Sequence, residues 1–514
     1  MQLFLSLLPA LVMIVLVIAT RKVLISLGIG IILAALIYAE WSIIGMVTYI
    51  WGSFIGIATS LDWYLPIIGF VVIIGGITAV ITLMGGILAF ANWAVSKVKN
   101  PVAAQLLTWI LGIIICIDDY FNALVIGEVS KPITDQYKIS RAKLAYIIDS
   151  TSAPVVILMP ISTWGAYIIG MMGGLFVNSG YTTHTGFSGF LAAVPYQFYP
   201  ITAIIMVFLV IKLGINFGAM KQFEDASASG DDVSKLDAAQ AVSQVKIEGT
   251  RATQWSLIVP ILVLVFVTFF MMFLKAGFVP SEIMDQEITV PLFLGGLSAY
   301  ITAVIFALTD RAVKIKSIAV VSGKGMLSMF KSAVAILVLA WMVSGAIQDL
   351  GTGDLIAAAI SGTSLSPALV PLVMFFIAGG IAFATGTSWG SFGILLPIAI
   401  PIAMATNPIF MPAIVAAVLG GAVFGDHSSP ISDTTVLSAT GARSTLHSHF
   451  ISQLPYALVT AGIAAFGYLV YGLTEILVLS YLIIAILIFL FTKYWKVIFL
   501  KKADKVQELQ TEKE

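Results

Sequence analysis

Residues 425–435 read GDHSSPISDTT and lie between apolar runs. These eleven positions hold two aspartates, a histidine, three serines, two threonines and a helix-breaking proline. A charged side chain at the centre of a bilayer costs on the order of 2.5 to 3.5 kcal/mol on insertion scales, and unsatisfied main-chain groups add several more. Such a stretch persists at membrane depth only where it faces protein, water or a bound ion. It therefore predicts an unwound, oxygen-rich gap rather than a plain span.

Composition puts the stretch at that depth. Of 514 residues, 60% are hydrophobic and 10% charged, and the mean hydropathy is +1.05, far from the balance of a soluble domain. Net charge is zero, so no basic face is offered to nucleic acid, and the lone Cys116 has no partner for an intramolecular disulfide. The first twenty residues are followed by Arg21 and Lys22 rather than preceded by basic residues. That order predicts a retained spanning helix, not a cleaved signal.

Apolar runs long enough to span are expected near 1–19, 23–39, 64–94, 144–170, 188–211, 255–274, 291–309, 332–348, 410–442, 451–473 and 476–492. Two further stretches, about 102–130 and 366–405, are apolar but interrupted, and read as re-entrant hairpins. If the loops at Arg21, Lys97, 131–143, 212–251, 311–331, Arg443 and the tail from Lys493 are cytoplasmic, only Lys275 of the 26 basic residues faces out. That tally requires both hairpins, and requires that 41–62 does not span. The resulting division is a first repeat at 1–211, a polar linker at 212–254, a second repeat at 255–473, and a last helix with cytoplasmic tail at 474–514. Broken helices are expected at about 144–170 and 410–442. The repeats start on opposite sides of the membrane and are therefore inverted, a recurrent plan of secondary transporters.

The repeat register has two readings: DSTSAP from Asp149 against DHSSP from Asp426, or PIST from Pro160 against PISDT from Pro430. A further weak match pairs ITAVITLMGGILAFANWA from Ile77 with VSGAIQDLGTGDLIAAAI from Val343.

Three more stretches share the chemistry of 425–435: CIDDYFNAL from Cys116, YIIDSTSAPVVILMPISTWG from Tyr146 and FATGTSWGSFGILLP from Phe383. A broken helix leaves unpaired carbonyls and N–H groups; with aspartates and hydroxyls added, the oxygen-rich setting suits a hard cation such as Na⁺. The expected cation-binding residues are Asp118, Asp119, Asn122, Asp149, Ser150, Ser152, Thr387, Ser388, Asp426, Ser429 and Asp433. Asp118 and Asp119 lie about 100° apart on a helix, so at most one points at the site. His427, Ser428, Thr151, Trp389 and Trp164 are expected to serve the proton or solute that moves with the ion, His427 because imidazole titrates near neutrality. Hairpin tips near Asn122 and near Thr387 and Ser388 should meet helix breaks near 150–154 and 427–430. Glu128, Lys131, Asp349 and Asp354 are expected near the membrane interfaces, His184 in an outer loop, and His447 and His449 at the cytoplasmic surface.

Enzyme chemistry finds no support. Asp426, His427 and Ser428 are consecutive and cannot form a hydrolase relay, Ser428 is not framed by a G-x-S-x-G elbow, and neither HExxH nor a phosphate-binding GxxxxGK[ST] loop occurs.

GDHSSPISDTTVLSATGA, GTSWGSFGILLPIA, IDDYFNAL and RAKLAYIIDSTSAPV together resemble the signature segments of the NhaC family of sodium/proton antiporters, over about residues 20–475. One departure is Ser428, where many members carry Cys. The resemblance implies an all-α integral membrane protein, an inverted-repeat secondary transporter with about eleven transmembrane helices, two re-entrant hairpins and broken helices. It further implies a homodimer in a bacterial plasma membrane, working by an elevator mechanism without a cofactor, with Na⁺ as coupling ion. Na⁺/H⁺ antiport is the expected activity; the alternative is Na⁺-driven transport of an amino acid or small organic acid, such as malate/lactate exchange.

Overall fold

The computed structural model describes residues 2–20, 22–60, 64–95, 98–230, 234, 247–279, 286, 288–351 and 366–511. All regular structure among them is helical. Eight of these helices are long and apolar enough to cross a bilayer, or nine if Gly186–Tyr196 and Phe198–Leu213, bent by 50°, count as one span. Arg141–Val156, Thr163–Ser179 and Ile43–Thr59 are shorter than a span taken singly. Ile43, Ile44 and Trp51 of the last, in the segment not expected to span, are exposed.

Four helices form a closely packed group of their own: Tyr64–Leu83, Trp255–Lys275, Thr289–Thr309 and Ile315–Met329. With no aqueous phase to drive helices together, such packing depends on small residues that let backbones approach. Gly75 and Gly325 do so here, since a Cβ on either would run into the other's main chain.

The remaining core is built from interrupted helices. Pro101–Ile114 and Asp119–Gln136 form the first helical pair, followed by Arg141–Val156 and Thr163–Ser179. Later in the chain, Val370–Thr385 and Ser388–Thr406 form the second pair, followed by Met411–His427 and Asp433–Ala442. Leu446–Thr474 packs beside this last unit. The stops have local causes. Gly386 ends Val370–Thr385 with φ of +69° and has the carbonyl of Ile431 where a side chain would stand, so both its conformation and its space favour glycine. Ser162 and Ser432 restart the helices after the gaps by accepting from Gly165 N and Thr435 N.

One expected break is displaced. The helix runs without interruption through 150–154 to Val156, with Pro154 inside it. A proline removes a single main-chain donor, and buried helices tolerate that where neighbours compensate. The gap opens at 157–162 instead. In the second half the gap falls at 428–432, close to expectation.

Gly218–Ser229 makes a helix within the linker, and the final helix, Leu477–Thr511, continues through most of the expected tail. Arg21, Asp62, Lys97, Asp354, linker residues 231–233 and 235–246 and the part of the weak match beyond Gly351 lie outside the described residues, as does the side chain of Glu128.

Candidate functional site

The two gaps are held in the same way. Thr163 N, just after the capping Ser162, donates to Ile117 O at the turn of the first helical pair, at 2.8 Å; Asp433 N, just after the capping Ser432, donates to Gly386 O at the turn of the second, at 3.3 Å. Each cap hydroxyl also reaches the residue six positions earlier: Ser162 Oγ donates to Val156 O and Ser432 Oγ to Asp426 Oδ1, both at 2.7 Å. These bonds set PIST opposite PISDT. Asp426 stands six residues ahead of its capping serine, as Val156 does of Ser162, and Asp149 lies seven residues before Val156 along its helix.

Carboxylates gather around the second gap. Asp426, fully buried near the end of Met411–His427, accepts from Ser432 Oγ through Oδ1 and from Thr434 Oγ1 through Oδ2, the latter also at 2.7 Å. Asp433 opens its helix and accepts from the Tyr120 hydroxyl. Asp119 opens the helix Asp119–Gln136 and accepts from Trp164 Nε1 at 3.0 Å through Oδ1, while its buried Oδ2 has no donor. Helix N-termini carry partial positive charge, which favours Asp119 and Asp433 where they stand. Asp119 lies within electrostatic reach of Asp118, Asp433 and Asp426. Asp118 itself turns to Thr163 Oγ1 at 3.1 Å. No three His, Cys, Asp or Glu side chains among the described residues converge tightly enough to chelate a metal between them. A cation here would rest on one or two carboxylates together with hydroxyl and main-chain oxygens.

Asp149 has a different setting. Fully buried in mid-helix, it accepts from Ser438 Oγ at 3.1 Å and from Gln453 Nε2 at 2.5 Å, and His449 Nε2 stands 3.3 Å from Oδ2. Its main-chain oxygen lies 3.2 Å from His427 Nε2, and His427 Nδ1 meets the Tyr199 hydroxyl at 3.1 Å. Asp149 and Asp426 are near enough to interact electrostatically. His449, expected at the surface, is fully buried against Asp149, because one turn into Leu446–Thr474 the inner face of that helix already meets protein; His447, on the opposite side, is exposed.

The other expected residues are dispersed around these two centres. Asn122 Nδ2 bonds Gly112 O and Ile115 O at 2.8 and 2.7 Å, fixing the first turn, and its buried Oδ1 has no donor. Ser429 Oγ donates to Phe383 O at 2.8 Å and Ser388 Oγ to Ala422 O at 3.3 Å. Ser388 does stand in a G-x-S-x-G string, at 386–390, but a helix precedes it where the hydrolase elbow needs a strand. Thr387 is half-buried at the head of its helix. Thr151 and Ser152 bond carbonyls of their own helix, Ile147 O and Asp149 O, and Ser150 is buried beside them. Ser428 Oγ is buried without a partner. Trp164 and Trp389 pack edge-on at 5.6 Å, with Tyr167 at 4.9 Å from Trp389 and Phe392 at 5.3 Å from Trp164. They fill space with each other and leave Trp389 only 6% exposed.

Sequence reading missed Tyr120, Ser432, Thr434, Tyr199, Ser438, His449 and Gln453. Ser432 and Thr434 lay inside the quoted stretch, and Ser432 carried a signal as a cap residue; the others are brought in by tertiary contact.

The profile of the Na⁺/H⁺ antiporter family matches residues 155–473, which covers the second gap and most of the helices around it. The chain belongs to that family. Its relatives include an uncharacterized protein of Haemophilus influenzae, 38% identical over 483 residues and covering 91% of each chain. Shorter matches, 21% of this chain and 23% of the relative, are to an uncharacterized Na⁺/H⁺ antiporter of Haemophilus influenzae at 34% identity and to the malate-2H⁺/Na⁺-lactate antiporter of Bacillus subtilis at 32%. The crystal structure of the YdaH transporter of Alcanivorax borkumensis is similar in fold, with a TM-score of 0.54 at 13% identity, covering 83% of this chain and 88% of that one. This antiporter-family protein is thus a multi-pass membrane transporter, not an enzyme.

Proposed function

We propose that the protein exchanges Na⁺ for H⁺ by alternating access, through one cation site where the turns of the two helical pairs meet the helix gaps. The supporting observation is charge. Asp119 and Asp426 are buried together with Asp433 half-buried beside them, answered by hydroxyls and an indole and, among the described residues, by no Lys or Arg. Buried like charges cannot all stay ionised without compensation. Protons supply it, or a cation does, and swapping one for the other is antiport. Ser432, Thr434 and Tyr120 would complete an all-oxygen setting of the kind Na⁺ accepts, with Asp149 and its histidines as the second acid centre.

The same reading takes 1–211 and 255–473 as inverted repeats. Matching order of elements and matching bonds at both gaps support it. An elevator-like movement within a homodimer rests on the family resemblance alone.

A second reading, Na⁺-driven exchange of small organic acids, is favoured by the match to the malate-2H⁺/Na⁺-lactate antiporter. Against it, Trp164 and Trp389 are packed with each other rather than lining a space for cargo.

The deciding experiment is flux into proteoliposomes under an imposed Na⁺ gradient, following internal pH and labelled malate, lactate and amino acids together. Proton movement with no labelled uptake is expected. Sodium-dependent accumulation of one solute transfers the assignment to the second reading, and flux that neither saturates nor responds to the Na⁺ gradient removes both.

A further inference from the structure

Each gap is attended by a buried glutamine outside the cluster of Asp119, Asp426 and Asp433. Gln453, 1% exposed, donates through Nε2 to His427 O at 2.9 Å, the last residue of the helix before the second gap, and to Asp149 Oδ2. Gln197, fully buried at the bend before Phe198–Leu213, donates through Nε2 to Ile157 O, a longer bond of 3.4 Å. Ile157 is the residue that closes the helix before the first gap. Both carbonyls stand five residues ahead of a capping serine, Ser162 or Ser432. The two glutamines therefore hold the same main-chain position in the two halves, Gln197 from the bend ahead of Phe198–Leu213 and Gln453 from within Leu446–Thr474.

Both amide nitrogens face only acceptors, which fixes the orientation of each amide and turns its oxygen away. Both of those oxygens, Gln197 Oε1 and Gln453 Oε1, are buried without a donor. A carbonyl at a helix end has no donor of its own and is satisfied either by a side chain or by rewinding of the chain beyond it. A side-chain amide that occupies this carbonyl keeps the gap open. An unpaired amide oxygen beside an open gap is in turn an acceptor for a partly hydrated cation or a bridging water.

We propose that Gln197 and Gln453 are paired positioning residues: each clamps the last carbonyl before its gap, holds the gap unwound, and presents an amide oxygen to the ion or water that enters. The ion-facing part rests on the cation-exchange reading above; the clamp itself does not. Gln453 also ties Asp149 to the second gap, so its loss is the more damaging of the two.

Two measurements on the full-length protein test this. The first is Na⁺-dependent flux for wild type, Gln453→Leu and Gln197→Leu, with monodispersity in detergent as the check on folding. Folded Gln453→Leu is expected to raise the Na⁺ concentration for half-maximal flux about tenfold, with a smaller rise for Gln197→Leu, in line with loss of buried amide bonds. A folded Gln453→Leu protein with wild-type half-saturation overturns the ion-facing role, and a fall in maximal rate alone counts against it equally. The second is maleimide labelling of Ser428→Cys in a Cys116→Ser background, with and without Gln453→Leu. The labelling rate is expected to change at least threefold when the clamp is removed; an unchanged rate overturns the clamp. If wild type shows no Na⁺-dependent flux, the exchange reading fails by that result, and the labelling still decides the clamp.

Discussion

Asp149 and Asp426 are both fully buried aspartates beside one gap, yet different groups satisfy them. Asp426 takes two hydroxyls, which can turn to follow a change in its charge. Asp149 takes Gln453, Ser438 and a histidine from three directions, an arrangement suited to a carboxylate that keeps its place. An Asn there keeps one oxygen to accept but turns its NH2 group toward a donor, and a buried donor left unsatisfied typically costs about 1–3 kcal/mol, more for charged groups. Asp149→Asn is therefore expected to lower Na⁺-dependent flux about a hundredfold or more; full flux in that variant would remove Asp149 from the mechanism. His449→Ala is expected to lower flux about tenfold, whereas His447→Ala, two residues away and exposed, should transport like wild type. Equal flux in the two histidine variants would show that contact with Asp149 has no part in transport. The acids were legible in sequence because a carboxylate at membrane depth needs an explanation. Their partners were not, since Gln453 and His449 lie some three hundred residues from Asp149 and resemble any polar residues near a helix end.

At the level of elements, the helices that carry the site cross without side chains between them. A Cβ on Gly127 would enter the main chain of Gly441, so Asp119–Gln136 and Asp433–Ala442 touch backbone to backbone. That contact sets how closely Asp119 approaches Asp433. Gly127→Val is expected to destabilise the protein by about 2 kcal/mol or more, since overpacking here has only backbone to displace. Gly462→Ala, where a Cβ meets open space, should be neutral or slightly stabilising. Thermal melting in detergent separates the two, and a Gly127→Val protein that melts like wild type would mean the crossing is looser than described. The interrupted helices were visible in sequence through clusters of Gly, Ser and Pro, but the position of the first gap was not. The break was expected within DSTSAP, but the chain unwinds at 157–162, where Thr163 N bonds Ile117 O, a contact with another helical pair. Pro154 was the misleading residue, because one missing donor does not unwind a helix packed on all sides.

For the whole molecule, alternating access requires one body to move against another, and the structure offers a natural division. Tyr64–Leu83 and the three helices packed with it carry none of the site's aspartates, while Thr163–Ser179 is tied to the site through Thr163 and Trp164. The two bodies meet where Gly170 abuts the Ile67 side chain, so a Cβ at Gly170 would point straight at it. If the site-bearing helices slide past the other group, that contact must break in each cycle. Ile67→Cys with Gly170→Cys, in a Cys116→Ser background, can be bridged by a short cross-linker joined through disulfides. Bridging is expected to stop Na⁺-dependent flux and reduction to restore it, with the unbridged double variant as the reference. Transport at the reference rate while bridged would mean that Thr163–Ser179 and Tyr64–Leu83 stay together throughout the cycle. The moving boundary would then have to lie elsewhere, between Thr163–Ser179 and the second gap, and the bonds from Thr163 and Trp164 to the first helical pair would be the ones that break.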